Sequence, residues 1–143
     1  MKFTVEGKIK GKARPRWSSA SGCMYTPPET KQYESYIAHC FRLAGGQKIE
    51  GAVALSITML FAIPKNTKNT KKADRELCKF NEILPTKKPD IDNCLKAVMD
   101  GLNKVAYEDD KQVTENHIVK RWTTGFERLE IEITKAEGGG EYV

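Results

Sequence analysis

The sequence predicts an α+β domain, a small mixed sheet of about four strands carrying two to three helices. Three observations predict it. Apolar residues alternate with polar ones near both ends of the chain and in its middle, and they recur at three- and four-residue spacing in two stretches between. The resulting order of strand, helix, strand, basic excursion, helix, strand and strand suits helices packed on one mixed sheet. At 143 residues the chain fits one domain, able to bury roughly two thirds of its unfolded surface. That domain is expected over residues 1–135, with residues 136–143 as a flexible tail in which no periodicity survives.

Taken in order, Phe3, Val5 and Ile9 read as a half-buried strand weakened at Gly7. Lys10, Lys12, Arg14 and Arg16 then surround Gly11 and Pro15, with Trp17 behind them, as an irregular, exposed phosphate-binding edge. Thr26 to Glu29 has the form of a helix start, with Thr26 as N-cap, Pro27 at the first helical position and Glu29 closing a capping box. The helix runs on through Tyr33, Tyr36, Ile37, Cys40, Phe41 and Ala44 as its apolar face, and Gly45-Gly46 ends it. Val53–Ala62 is long and apolar enough for a central strand, with Pro64 beyond it. Residues 65–88 form a basic excursion containing a short helix around Leu77. Asp90 to Lys104 is the clearest helix, and Gln112–Thr124 and Arg128–Thr134 read as the last two strands.

The 24 basic residues outnumber the 19 acidic ones, for a net charge of +5. That excess favours a polyanionic partner, although solubility alone accounts for it equally well. The four cysteines are far apart, and no pair has the spacing of a zinc half-site. With no apolar run approaching the ~20 residues of a membrane span, the expectation is a cytoplasmic protein with reduced thiols and no membrane partner.

The helix from Asp90 divides into two faces. Ile91, Leu95, Val98, Met99 and Leu102 share one side, and Asp92, Asn93, Lys96, Asp100 and Asn103 the other. Solvation explains the polar face, and Asp90 and Asp92 stand where an N-cap and a first-turn acid stabilise any helix. A second cluster, Glu108-Asp109-Asp110, follows after Val105-Ala106-Tyr107, so acids bracket the helix. Mg²⁺ takes oxygen ligands, keeps several waters and needs only a few carboxylates when phosphate completes its shell. Asp90, Asp92 and Asp110 would suffice if they meet. The helix is roughly 21 Å long and the six residues that follow reach roughly 20 Å when extended. Asp110 can therefore just return to the helix start, meet Asp92 partway along, or be supplied by a second copy. Lys96 lies one turn after Asp92, placed for an intrahelical ion pair or for neutralising charge on a phosphorane.

The run Lys88-Pro89-Asp90-Ile91-Asp92-Asn93-Cys94-Leu95-Lys96, continued by Asp100-Gly101-Leu102-Asn103 and Asp109-Asp110-Lys111-Gln112-Val113, resembles the RusA family of Holliday junction resolvases, carried by many phages and prophages. Gly11-Lys12-Ala13-Arg14-Pro15-Arg16 and Tyr25-Thr26-Pro27 extend the resemblance over most of the chain up to Val113. It implies a homodimer that binds four-way junctions and makes Mg²⁺-dependent paired nicks in strands of like polarity, with Mn²⁺ as a substitute ion. It also assigns Asp90, Asp92 and Asp110 to the metal site, with Asp109 as a further candidate ligand, and Lys96 to catalysis. Backbone contacts are expected from Lys12, Arg14, Arg16, Lys65, Lys68, Lys71, Lys72, Lys87 and Lys88, through charge and junction shape rather than base edges. Two other readings stand beside this one. A non-catalytic basic α+β nucleic-acid-binding module explains the charge but not the acids, and a small acidic-site hydrolase acting on nucleotides explains the acids.

Overall fold

The computed structural model describes residues 1–65 and 72–143. Four strands form the main sheet in the order β1-β6-β4-β5: β1 (Lys2–Glu6), β4 (Val53–Ala62), β5 (Val113–Thr123) and β6 (Arg128–Lys135). β2 (Arg16–Ser18) and β3 (Cys23–Tyr25) form a separate two-stranded hairpin. The helices are α1 (Pro28–Leu43), α2 (Lys72–Lys79) and α3 (Ile91–Leu102), with a single 3₁₀ turn at Asp110–Gln112. The expected α+β architecture is therefore the observed one.

β4 holds the sheet together, antiparallel to β6 and parallel to β5, while β1 closes the far edge against β6. A parallel neighbour needs a crossover, and the segment containing α2 and α3 provides it. Along β4 the alternation is complete: Val53, Leu55, Ile57, Met59 and Phe61 are buried, and the residues between them are more exposed. The buried face meets α1 and α3 in one core that takes in Phe3, Val5, Ile37, Phe41, Val98, Leu102, Tyr107, Leu129, Ile131 and Ile133.

Local details depart from the sequence expectations in three places. The helix α1 starts one residue later than the capping box requires: Pro27 is its N-cap and Pro28 its first residue, with no side-chain cap bond. Proline fixes φ near the helical value and has no N–H to satisfy, and the Pro27 carbonyl accepts from the Thr30 and Lys31 amides instead. The apolar face of α3 is rotated from the one expected. Cys94, Ala97, Val98, Gly101 and Leu102 are buried, whereas Ile91 is 40% exposed. Small residues win that face because α1 crosses it closely: a Cβ on Gly101 would lie 2.9 Å from the Glu34 carbonyl oxygen and 3.1 Å from the Ile37 Cβ. The hairpin β2–β3 stands where an irregular edge was expected.

Asn81 adopts a left-handed conformation, φ 55°, and its amide serves the exposed edge of β5. It accepts from the Trp122 amide at 2.7 Å and donates to the Trp122 carbonyl at 3.2 Å. A sheet edge left open invites pairing with another strand, and this side chain satisfies part of it while fixing the approach to α3.

The α1–α3 crossing predicts the cost of filling it. Gly101→Val should lower unfolding free energy by about 1–3 kcal/mol, the usual penalty of overpacking, as read from a urea midpoint shifted at unchanged slope.

Candidate active site

The chain after β1 does not leave the domain but lies across the start of α3. Gly11 sits so close that a Cβ would fall 2.9 Å from the Asn93 Cβ and 3.0 Å from the Pro89 Cβ. The Lys12 amide donates to the Asn93 carbonyl at 3.0 Å, and the Ala13 amide to Thr30 Oγ1 at 3.3 Å. The Lys12 ammonium turns inward to the Asp100 carboxylate, with Glu34 at 3.8 Å. Its side chain is 27% exposed. The bond to Asp100, outweighing the desolvation that opposes it, holds the Lys12 ammonium above its ordinary value. Burial pushes the Glu34 carboxyl up, and its Oε1 has no hydrogen bond.

This docking creates an open groove of about 560 Å³. Lys8, Lys10 and Lys12 line one side, and Lys87, Lys88, Asp90 and Asn93 the other. Two basic stretches more than seventy residues apart in sequence thus flank the first aspartate of α3. A larger cavity of about 680 Å³ lies beyond the C-terminal end of β4, lined by Lys65, Arg75, Lys79 and Phe126 among others, and does not touch the aspartates.

Asp90 is the N-cap residue of α3, but its side chain makes no cap bond. Asp92 and Lys96 are exposed on the same helix, and among the described residues no ion pair joins them. The neighbouring acids are committed. Glu108 accepts from Lys48 at 2.6 Å and Lys104 at 3.1 Å, which hold it below the usual carboxylate range. Asp109 caps the 3₁₀ turn by accepting the Lys111 amide at 2.9 Å, which lowers it likewise. Gln112 completes that cap: its Oε1 accepts the Glu108 and Asp109 amides at 2.8 and 3.0 Å, and its Nε2 donates to the Ile49 and Gly51 carbonyls at 3.1 and 2.9 Å.

Asp110 stands at the start of that turn, half-buried. Burial, and secondarily the charges of Asp110 and Asp100, raise the phenol of Tyr107. The Tyr107 hydroxyl donates to the Met99 carbonyl at 2.7 Å. Among the described residues no three His, Cys, Asp or Glu side chains converge closely enough to hold a metal ion.

The other expected contacts divide clearly. Lys87 and Lys88 line the groove, and the Lys87 ammonium also sits 5.3 Å from the centroid of the Phe61 ring. Arg14 and Arg16 are exposed on the continuation of the docked loop. Lys65 belongs to the other cavity. Lys68 and Lys71 fall outside the described residues, as does the side chain of Lys72, the first residue of α2. Lys8 was not singled out with the basic edge that begins at Lys10, although its alternation with Lys10 and Lys12 places all three on one strip. All four cysteines are free, and burial pushes the Cys94 thiol up to about 12. His117 pairs in register with Ser56, on the sheet face opposite α3, and so cannot serve as a base in the groove. No helix among the described residues is long and apolar enough to cross a membrane.

A basic groove that exposes uncommitted carboxylates on a helix start is the makings of a nucleic-acid-processing protein. Comparison with known proteins gives the class its name. A family model described as endodeoxyribonuclease RusA matches residues 6–134, and the chain belongs to that family of nucleases. It is also 34% identical over 127 residues to a Bacillus subtilis (strain 168) protein designated uncharacterized protein YqaN, covering 84% of this chain and 86% of that one.

Two outcomes are expected of the partly buried ion-pair cluster. Lys12→Met leaves Asp100 facing Glu34 and should cost roughly 1–3 kcal/mol, between the values for exposed and buried pairs. A carboxyl raised in the folded state favours folding when protonated. Its contribution is present below the ordinary carboxyl value and is lost as pH rises through the raised folded value. Glu34→Gln should therefore gain stability relative to wild type from acid toward neutral pH, read from denaturant melts across that window.

Proposed function

We propose that this protein is a structure-selective endodeoxyribonuclease that resolves four-way DNA junctions by paired, metal-dependent nicking, in recombination and repair. The observation that carries the reading is the groove in which Asp90 lies between lysines of two separate segments, in a chain of the RusA family.

The donor set suits a hard divalent cation such as Mg²⁺. Asp90 and Asp92 offer carboxylate oxygens without competing partners, and Mg²⁺ needs few protein ligands when water and phosphate supply the others. Asp110 joins them on this reading, whereas Asp109 is spent on capping. Bound there, the ion would polarise the scissile phosphate and lower the pKa of a water. The chain's own residues do the remaining work. Lys8, Lys10, Lys87 and Lys88 gather the phosphate backbone, and Lys96, one turn beyond Asp92, offsets charge that develops on the phosphoryl oxygens. Hydrolysis by water needs no protein nucleophile. Paired nicks call for two such sites, hence a homodimer.

The absence of a converged three-acid cluster among the described residues favours one rival, a basic module that binds branched DNA without cutting it. A labelled four-way junction beside duplex of the same sequence separates the two. With Mg²⁺ or Mn²⁺, junction-only nicking is expected, abolished by EDTA and reduced at least a hundredfold in Asp90→Asn and Asp92→Asn while binding persists. Tight binding without nicking under either ion would leave only the binding module. Lys96→Met should lower the nicking rate with little effect on junction affinity, and a loss confined to affinity would remove Lys96 from the chemistry.

A further inference from the structure

We propose that the β2–β3 hairpin is a base-stacking prong, in which Trp17, backed by Met24, lies against unpaired or half-stacked bases at the branch point of a DNA junction. The inference rests on the nucleic-acid reading above and adds a contact to bases where that reading has only phosphate.

Both strands of the hairpin are exposed almost throughout. Trp17 pairs in register with Met24, and the two are 62% and 57% exposed. Arg16 pairs with Tyr25, itself 39% exposed. Strand neighbours alternate in direction, so Trp17 and Met24 share one face and Arg16 and Tyr25 the other. None of these side chains belongs to the core. An isolated two-stranded hairpin is marginal in water, and leaving an indole and a thioether in solvent adds nothing to folding. A flat, polarizable pair of this kind suits an apolar partner with planar faces.

Charge selects which partner. Between Glu6 and Glu29 the chain has five cations, Lys8, Lys10, Lys12, Arg14 and Arg16, and no carboxylate. Lys12 is consumed internally, which leaves four. An aromatic platform beside cations that follow a phosphate backbone is how proteins hold single-stranded nucleic acid, since every base has a π face. The prong is also fixed in place. Its approach is pinned at Gly11, Lys12 and Ala13 to α3 and α1, and the five residues from Lys12 to Trp17 span at most about 17 Å. The indole is thereby kept within about half a turn of B-form duplex of the groove beside Asp90.

Binding in EDTA tests this apart from any cleavage, so loss of the nuclease reading does not decide it. In full-length protein carrying Trp122→Phe, Trp17 is the one remaining tryptophan of two. Its emission should be quenched by a four-way junction and far less by matched duplex. A junction with 2-aminopurine at the branch should report the same contact from the DNA side. Trp17→Ala should weaken junction affinity roughly 5- to 100-fold, the worth of one stacked base, without changing the slope of log affinity against log salt. Trp17→Phe should keep most of the affinity. Arg16→Gln should instead reduce that slope by about one. Junction affinity within twofold of wild type in Trp17→Ala, with the 2-aminopurine signal unchanged, overturns the proposal. So does a change of oligomeric mass in Trp17→Ala by light scattering, which would give the hairpin to a contact between copies.

Discussion

The Lys12 ammonium, held between Asp100 of α3 and Glu34 of α1, is the constraint on which the working surface depends. A lysine on a loop ordinarily costs little to move, because its charge is solvated. Here three elements share one partly buried charge, and withdrawing it would leave two carboxylates facing each other in poor solvation. The loop is accordingly fixed over the start of α3, and everything it carries is fixed with it: Lys8 and Lys10 on one side of Asp90, Arg14, Arg16 and Trp17 on the other side of the anchor. The close crossing of the helices at Gly101 is the apolar counterpart of the same constraint, since it sets the rotation of α3 and so the direction in which Asp92 and Lys96 face.

The acids around α3 fall into two populations, and their partners distinguish them. Glu108 is neutralised by two lysines and Asp109 by a backbone amide, both of which lower the affinity for protons and use up oxygen lone pairs. Asp100 is spent on Lys12. Asp90 and Asp92, by contrast, stand at a helix start with neither cap bond nor ion pair among the described residues. Helix N-termini favour negative charge, so carboxylates are accommodated there without a structural partner. Such groups stabilise the helix modestly and remain available to a ligand.

Much of this was legible in the sequence. The four sheet strands and the helices of Tyr33 and Asp92 follow from periodicity, because one buried face imposes it on each element. The acid motif and the paired aspartates of the following turn were legible as a pattern of residues. What escaped was rotation and commitment. A wheel ranks Ile91 and Leu95 above Cys94 and Gly101 as core residues, and only the closeness of α1 reverses the order. Lys12 reads like any other lysine of its basic run, and its partners lie 22 and 88 residues away in sequence. The hairpin was missed because its strands are three residues long and bury nothing, so neither length nor alternation announces them. Glycines gave the better signal: Gly11 and Gly101 each mark a place where one backbone must approach another.

The same layout answers a difficulty that any carboxylate site for DNA must meet. On the proposed reading, two aspartates repel the phosphate they would serve, by roughly 4 kcal/mol for each charge pair at 4 Å in a surface-like dielectric. A cation between them removes the repulsion only after it has been captured, and the polyanion must be held meanwhile. Lysines on both flanks of Asp90 make the groove net positive despite its acid, which on that reading would let backbone settle there before the site is complete. Lys12 bears on this indirectly. Its charge is given up to Asp100, which would otherwise add a third uncompensated carboxylate to the face shared with Asp92 and Lys96. Spending one lysine inside the fold keeps the remaining positive charge effective at its surface, and places it where Asp90 needs it.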